Sequence, residues 1–224
     1  MGRANLEGSA APGTRSAHGR YRLATDEMLD AACAVFAAEG FAQANMEVIA
    51  ARAGTTKPTL YARFGPKERL FATVVRREHE LLNEWVRAEY ETGPDEPFRQ
   101  RMHRWIATYF DFVRERPDGF RLTFEGERHA AAAAAIEEAT NERIERITSL
   151  IALVTGRPAG AGPRIVAASI VGLLRWCARE AIRQPGVDIG EVAALAESMV
   201  YDAMRGLDID VMDSISRSGT PPGA

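Results

Sequence analysis

Lys57 and Lys67 are the only lysines in a chain of 224 residues that holds 26 arginines, and both fall in the first turn of a predicted helix. A cation there opposes the helix dipole at a cost of about 0.3–1 kcal/mol. An anion opposite each lysine would offset that cost, and phosphate is the natural candidate because the first amides of a helix are free to donate to it. The alternative is a pair of ordinary solvated lysines. Around Lys57 stand Thr55, Thr56, Thr59, Tyr61 and Arg63, with Asn45 upstream, a set of donors suited to phosphate oxygens and to base edges. The chemistry these residue types offer is recognition of a duplex, with no bond made or broken.

The elements that must position them are two short helices and a tight turn. Ala50, Gly54 and Leu60 stand at intervals of four and six residues, with Val48, Ile49, Ala53 and Phe64 as the other apolar points. Ala50 is small where two helices cross, Gly54 can take the positive φ of a short turn, and Leu60 packs the second helix onto the first. This spacing predicts a helix-turn-helix. Upstream, Thr25 with Asp26 and Glu27 reads as the capped start of a helix that carries Leu29, Ala32, Cys33 and Phe36 and stops at Gly40. Asn45 then caps the helix Met46 to Ala53, which completes a three-helix head.

At Gly40, Phe41, Ile49, Ala50, Ala53, Gly54, Thr59, Leu60, Tyr61, Phe64, Lys67, Glu68 and Leu70 the sequence resembles the TetR/AcrR family of bacterial transcriptional regulators, most strongly along KPTLYARFGPKERLF. The resemblance covers roughly residues 25 to 72 and rests on many positions at once, which makes it far more specific than a lone glycine pattern. It implies Lys57, Pro58 and Thr59 at the base edges and Tyr61, Arg63 and Lys67 on the phosphate backbone. The chain departs from the family at Ala44, where a threonine is usual, leaving Asn45 to supply the cap. The resemblance also implies an all-α fold, a helix-turn-helix head on a larger helical bundle that binds a small-molecule effector and dimerises through its last two helices.

The rest of the chain reads as that bundle. A helix from Pro66 to about Tyr90 links head to body, and Gly93 and Pro94 break it. The next carries Met102, Trp105, Ile106, Tyr109, Phe112 and Val113, then Pro117 and Gly119 interrupt, and a short piece holds Phe120, Leu122 and Phe124. Aromatics are densest from Trp105 to Phe124, and such a stripe is by default plain core. In the family's architecture the region lines a ligand cavity, so Trp105, Tyr109, Phe112, Arg121 and Phe124 are the ligand candidates, with Arg121 either pairing an anionic ligand or facing water. The run Ala130 to Ala135 and the segment after it, from Ile136 to Val154, make a further helix. The pair Pro163 to Gln184 and Asp188 to about Leu207 follows, with Asp188 and Glu191 in capping-box spacing and small Ala168, Gly172 and Ala196 that allow close approach to a second copy or to the same chain.

The expected layout is a disordered basic tail at 1–22, the DNA-binding head at 23–68, a regulatory and dimerisation body at 69–207 and a flexible tail at 208–224. Net charge is only −3, but it is uneven: eleven basic residues against eight acidic ones through His79 leave residues 1–79 at +3 and the remainder at −6. A basic front on an acidic body suits a DNA-binding head on a regulatory module. Cys33 and Cys177 lie far apart in apolar helical patterns, which fits buried thiols in a reducing cytoplasm. No apolar run of membrane-spanning length and no leader pattern is present, so the expectation is a cytoplasmic protein without membrane contact.

A helical metalloenzyme is the competing class. His79 and Glu80 begin an HExxH pattern, yet its last position is Asn83, and none of the four histidines has a glutamate three residues before it. No metal and no cofactor are expected. The resulting reading is a homodimeric repressor, released from a palindromic operator when a small molecule enters the body.

Overall fold

The head assembles from the helices the sequence spacing predicts, with one difference at its start. In a computed structural model, which describes residues 17–90, 97–126 and 129–218, α1 runs from Ala17 to Gln43 and leaves helical geometry only at Gly40 (φ 74°, ψ 160°). Thr25 therefore sits inside a helix rather than capping one, and 17–22 of the expected tail are helical. No proline stands between Arg20 and Ala24, and each residue added to an existing helix gains a hydrogen bond, so the helix runs past a threonine able to cap it. Residues 1–16 lie outside the described residues.

Two short helices follow, α2 (Met46–Arg52) and α3 (Lys57–Phe64), then the long α4 (Lys67–Tyr90). Phe36, Ile49, Leu60, Leu70, Phe71 and Val74 are fully or almost fully buried at the centre of the head. Two turns further along, Leu82 and Val86 of the same α4 belong to a second core. One helix thus carries side chains of both cores.

The body is built from α5 (Phe98–Glu115), α6 (Pro117–Glu125), α7 (Ala130–Thr155), α8 (Ala161–Arg183) and α9 (Ile189–Arg205). Its core centres on Ile106, Phe110, Phe112, Phe120 and Leu174. Each such side chain contributes roughly 1.5–3 kcal/mol on leaving water. Leu122, Ala132 and Ile136, from α6 and α7, pack into the head's core and not the body's.

The tail expected to be flexible from residue 208 is instead helical, as α10 (Ile209–Ser218). Asp208 accepts a hydrogen bond from the Val211 amide at 3.1 Å, Met212 is buried, and the Ser216 hydroxyl accepts from the Gly162 amide of α8 at 3.1 Å. Its aspartates and serines are weak helix formers, which is why the segment reads as a tail; docking onto α8 outweighs that local preference. The helix pair expected to come last is therefore α8 and α9.

At the seam between head and body sits a buried carboxylate. Glu78 of α4 is fully buried (0% exposed) and takes Arg116, at the α5–α6 junction, on both oxygens at 2.8 Å, with Arg77 at 2.7 Å. Both arginines also reach Asp30 of α1, at 2.7 and 3.2 Å. Three elements from opposite sides of the seam are joined through one charge.

Candidate nucleic-acid interface and ligand cavity

The turn between α2 and α3 has the geometry its glycine allows, with Gly54 at φ 62°. Asn45 accepts from the Glu47 amide at 2.8 Å and so caps α2. Thr56 caps α3, accepting from the Thr59 amide at 3.4 Å while the two hydroxyls stand 2.8 Å apart. With Leu60 and Phe64 buried beneath it, α3 turns Lys57, Pro58, Thr59 and Tyr61 to the surface, and Asn45 and Thr56 are exposed beside them. Thr55 is half-buried in the turn.

Arg63 and Lys67 are placed differently. Arg63 is half-buried and reaches the Met28 sulfur at 3.9 Å. Lys67 donates to the carbonyl oxygens of Ala42 and Ala44, at 3.1 and 3.0 Å, and lies over the Phe41 ring at 4.8 Å. Its ammonium thus satisfies carbonyls at the end of α1, which offsets its unfavourable place at the start of α4 from inside the chain. Ala44 is buried under this contact.

Lys57 also has an internal anion, the carboxylate of Glu47 at 2.6 Å. Their hydrogen bond and mutual attraction draw Glu47 below the usual carboxylate range and hold Lys57 above the usual lysine value. Glu47 was not among the sequence candidates. The available signal was an acid in the first turn of a capped helix directly ahead of the turn, a position that reads as dipole stabilisation alone.

In the body, a cavity of about 40 Å³ lies among α5, α7, α8 and α9, walled by Phe98, Met102, Trp105, Ile151, Ile170 and Val200, with Arg101 as its one charged lining residue. Of the five ligand candidates only Trp105 lines it. Tyr109 and Phe112 are buried in the body core, where burial pushes the Tyr109 phenol above its usual value. Arg121 is exposed and pairs with Asp118 at 2.5 Å. Phe124 is half-buried against Phe120 and under the Arg175 guanidinium, 4.2 Å away. Trp105, Tyr109 and Phe112 share one side of α5 at i, i+4 and i+7, but the cavity lies along the first turns of that helix, from Phe98 to Trp105, and the later aromatics meet other core side chains.

Residues 28–74 match the family described as bacterial regulatory proteins, tetR family. Over 158 residues the chain is 34% identical to the HTH-type transcriptional activator FasR of Mycolicibacterium smegmatis, covering 68% of this chain and 71% of that protein. The chain belongs to the TetR family. It is therefore a DNA-binding transcriptional regulator and not an enzyme, and the family, rather than any ligand spacing, decides against the metalloenzyme reading. A second TetR-family comparison is the HTH-type transcriptional repressor SCO4008 of Streptomyces coelicolor, 32% identical over 53% of this chain and 58% of that one. The fold matches that of the transcriptional regulator FadR of Bacillus subtilis, solved in complex with stearoyl-CoA, with a TM-score of 0.69 at 16% identity over 82% of this chain and all of that one. No helix among the described residues is long and apolar enough to cross a membrane.

Proposed function

We propose that this TetR-family protein is a homodimeric repressor, acting in the cytoplasm, that holds a palindromic operator with two copies of α3 and is released by a long-chain acyl effector. The head (23–68) reads DNA and the body (69–207) binds effector and partner. Lys57, Pro58 and Thr59, on the first turn of α3, face base edges; Thr55, Thr56 and Tyr61 face phosphate, and Asn45 presents the start of α2 to the backbone. Arg63 and Lys67 contribute through the packing of α3 and the end of α1. Two such heads engage half-sites about 34–36 Å apart, one turn of DNA.

Dimerisation through α8 and α9 is supported by what these helices leave in water: Trp176 is 55% and Leu195 60% exposed, with Ile165 and Met199 beside them in helical spacing. Such a stripe is costly on a monomer and suits a four-helix interface. Gly172 has open space around it, which permits close approach.

The observation that carries the effector reading is the cavity, an apolar slot with one arginine, Arg101, among its lining residues, which suits a hydrocarbon chain. Stearoyl-CoA in the FadR structure points to the same chemistry. At about 40 Å³ the cavity is closed around little more than a few waters, so a long chain enters only by parting α5 from α7 and α9. Arg116 directly follows α5, and its grip on Glu78 passes that displacement to α4 and the head. The test is a mobility shift on a duplex selected by the protein from a random library, titrated with palmitoyl-CoA, palmitate and decanoate. Release by the long-chain compounds, blunted in Trp105→Ala, is expected; no change in DNA affinity with any of the three would overturn the effector class. Tighter binding would keep the effector class and overturn release as its consequence.

A further inference from the structure

We propose that Glu47 and Lys57 act as one composite reader of a single G·C base pair in each half-site, which makes Glu47 a specificity-determining residue. The inference rests on the reading that places the first turn of α3 at base edges. Both side chains are on the surface, 60% and 43% exposed, yet they meet at 2.6 Å across the turn, so the pair is presented as a unit at the entry of the recognition helix. Asn45, which caps α2 through the Glu47 amide, fixes the root of Glu47, and Lys57 is the first residue of α3.

The chemistry of the pair matches one base pair better than the others. In the major groove a G·C pair offers two acceptors, guanine N7 and O6, beside one donor, the cytosine amino group. An ammonium has three donors, of which Glu47 takes one, leaving two for the guanine. The Glu47 carboxylate, which Asn45 also reaches through a side-chain hydrogen bond, keeps acceptor lone pairs for the cytosine amino group. An A·T pair breaks this order, with its amino donor facing the ammonium and a carbonyl facing the carboxylate. A carboxylate at this edge also repels phosphate, and it neutralises a lysine that would otherwise bind any backbone. Glu47 thus weakens unspecific binding while strengthening one choice of sequence.

The experiment is parallel selection from one random duplex library by the wild-type protein, Glu47→Gln, Glu47→Asp and Lys57→Ala, followed by affinities on the selected duplexes and on a random duplex at several salt concentrations. Wild type is expected to fix one G·C per half-site, with a loss of about 5- to 150-fold when that pair is changed to A·T. Each variant should lose the preference at that position and keep the others. Glu47→Asp, one methylene shorter, serves as the second variant with its charge retained. Glu47→Gln should also bind the random duplex more tightly, with a salt dependence steeper by about 0.9 in the log–log slope, one more phosphate neutralised. If both Glu47 variants select the wild-type sequence while Lys57→Ala does not, Lys57 reads alone and the inference falls. If Lys57→Ala also selects it, the assignment of this turn to base edges fails with it.

Discussion

The head and the body reach their binding surfaces by opposite routes. The head's surface comes from twenty consecutive residues, Asn45 to Phe64, whose two helices are capped by side chains of the segment itself. The body's cavity draws its walls from Phe98 to Met204, over four helices. A surface set by short-range spacing is fixed as soon as its local structure forms. A cavity between long helices depends on how those helices cross, so its shape responds to small displacements. The difference suits the two tasks, since a reading surface has to be rigid and an effector site has to move its walls.

The two regions are nevertheless welded, because Leu122, Ala132 and Ile136 of the body sit in the head's core. The largest expected effects test that weld. Phe112→Ala in the body should cost about 3–5 kcal/mol and Leu60→Ala in the head about 2–5 kcal/mol, and each should lower a single calorimetric transition. Two resolved transitions in either variant would break the picture of one cooperative unit. Arg116→Ala comes next. It leaves Glu78 buried with Arg77 as its remaining strong partner, and the expected loss is about 3 kcal/mol in urea unfolding at neutral pH. Asp30→Asn removes only the more exposed limb of the cluster and should cost under about 1 kcal/mol.

The body also holds a buried histidine, and residues 23–68 contain none. His79 is buried, with its Nδ1 3.3 Å from a nitrogen of Arg143, and burial followed by the Arg143 and Arg175 charges holds its pKa well below the ordinary value near 6.5. Above about pH 6.5 the ring is neutral in both folded and unfolded chains, and its contribution to stability is fully present. Below that the unfolded chain takes up a proton the folded one refuses, so stability falls at up to about 1.4 kcal/mol per pH unit until the folded pKa is reached. Denaturation at pH 7 and pH 5 should show a larger loss in wild type than in His79→Gln. An equal loss in both would remove the buried ring from the account.

How much of this was legible follows the same division. Ala50, Gly54 and Leu60 disclosed the helix-turn-helix because the constraint on each lies within ten residues. Lys67 was legible as anomalous, but its partner was not, since the carbonyls of Ala42 and Ala44 carry no residue-type signal. Trp105 reached the cavity, while Tyr109 and Phe112, one and two turns further on the same side of the same helix, did not: where along α5 the neighbouring helices part is a property of the packing. Met212 shows the converse, a helix invisible to local propensity that exists because it has α8 to lie on.

In the head, Asn45→Ala should cost about 1 kcal/mol, as the loss of a cap does, and, if the proposed interface holds, weaken operator binding more than that figure alone, because that interface sets the start of α2 against the phosphate backbone. A cap confined to stability would instead leave operator affinity unchanged at a temperature well below the melting point.

The smallest effect is the sharpest on the body side. Arg121 and Arg101 are both arginines near the aromatic stripe, and sequence alone singled out Arg121. Arg121 is exposed and paired with Asp118 three residues before it, an arrangement worth a few tenths of a kcal/mol. Arg101 lines the cavity. Arg121→Ala should therefore change stability by no more than about 0.5 kcal/mol and leave the response to palmitoyl-CoA intact, whereas Arg101→Ala should blunt that response. If the two variants behaved the other way round, the effector would enter along α6, and the cavity between α5 and α9 would be a packing defect with no part in regulation.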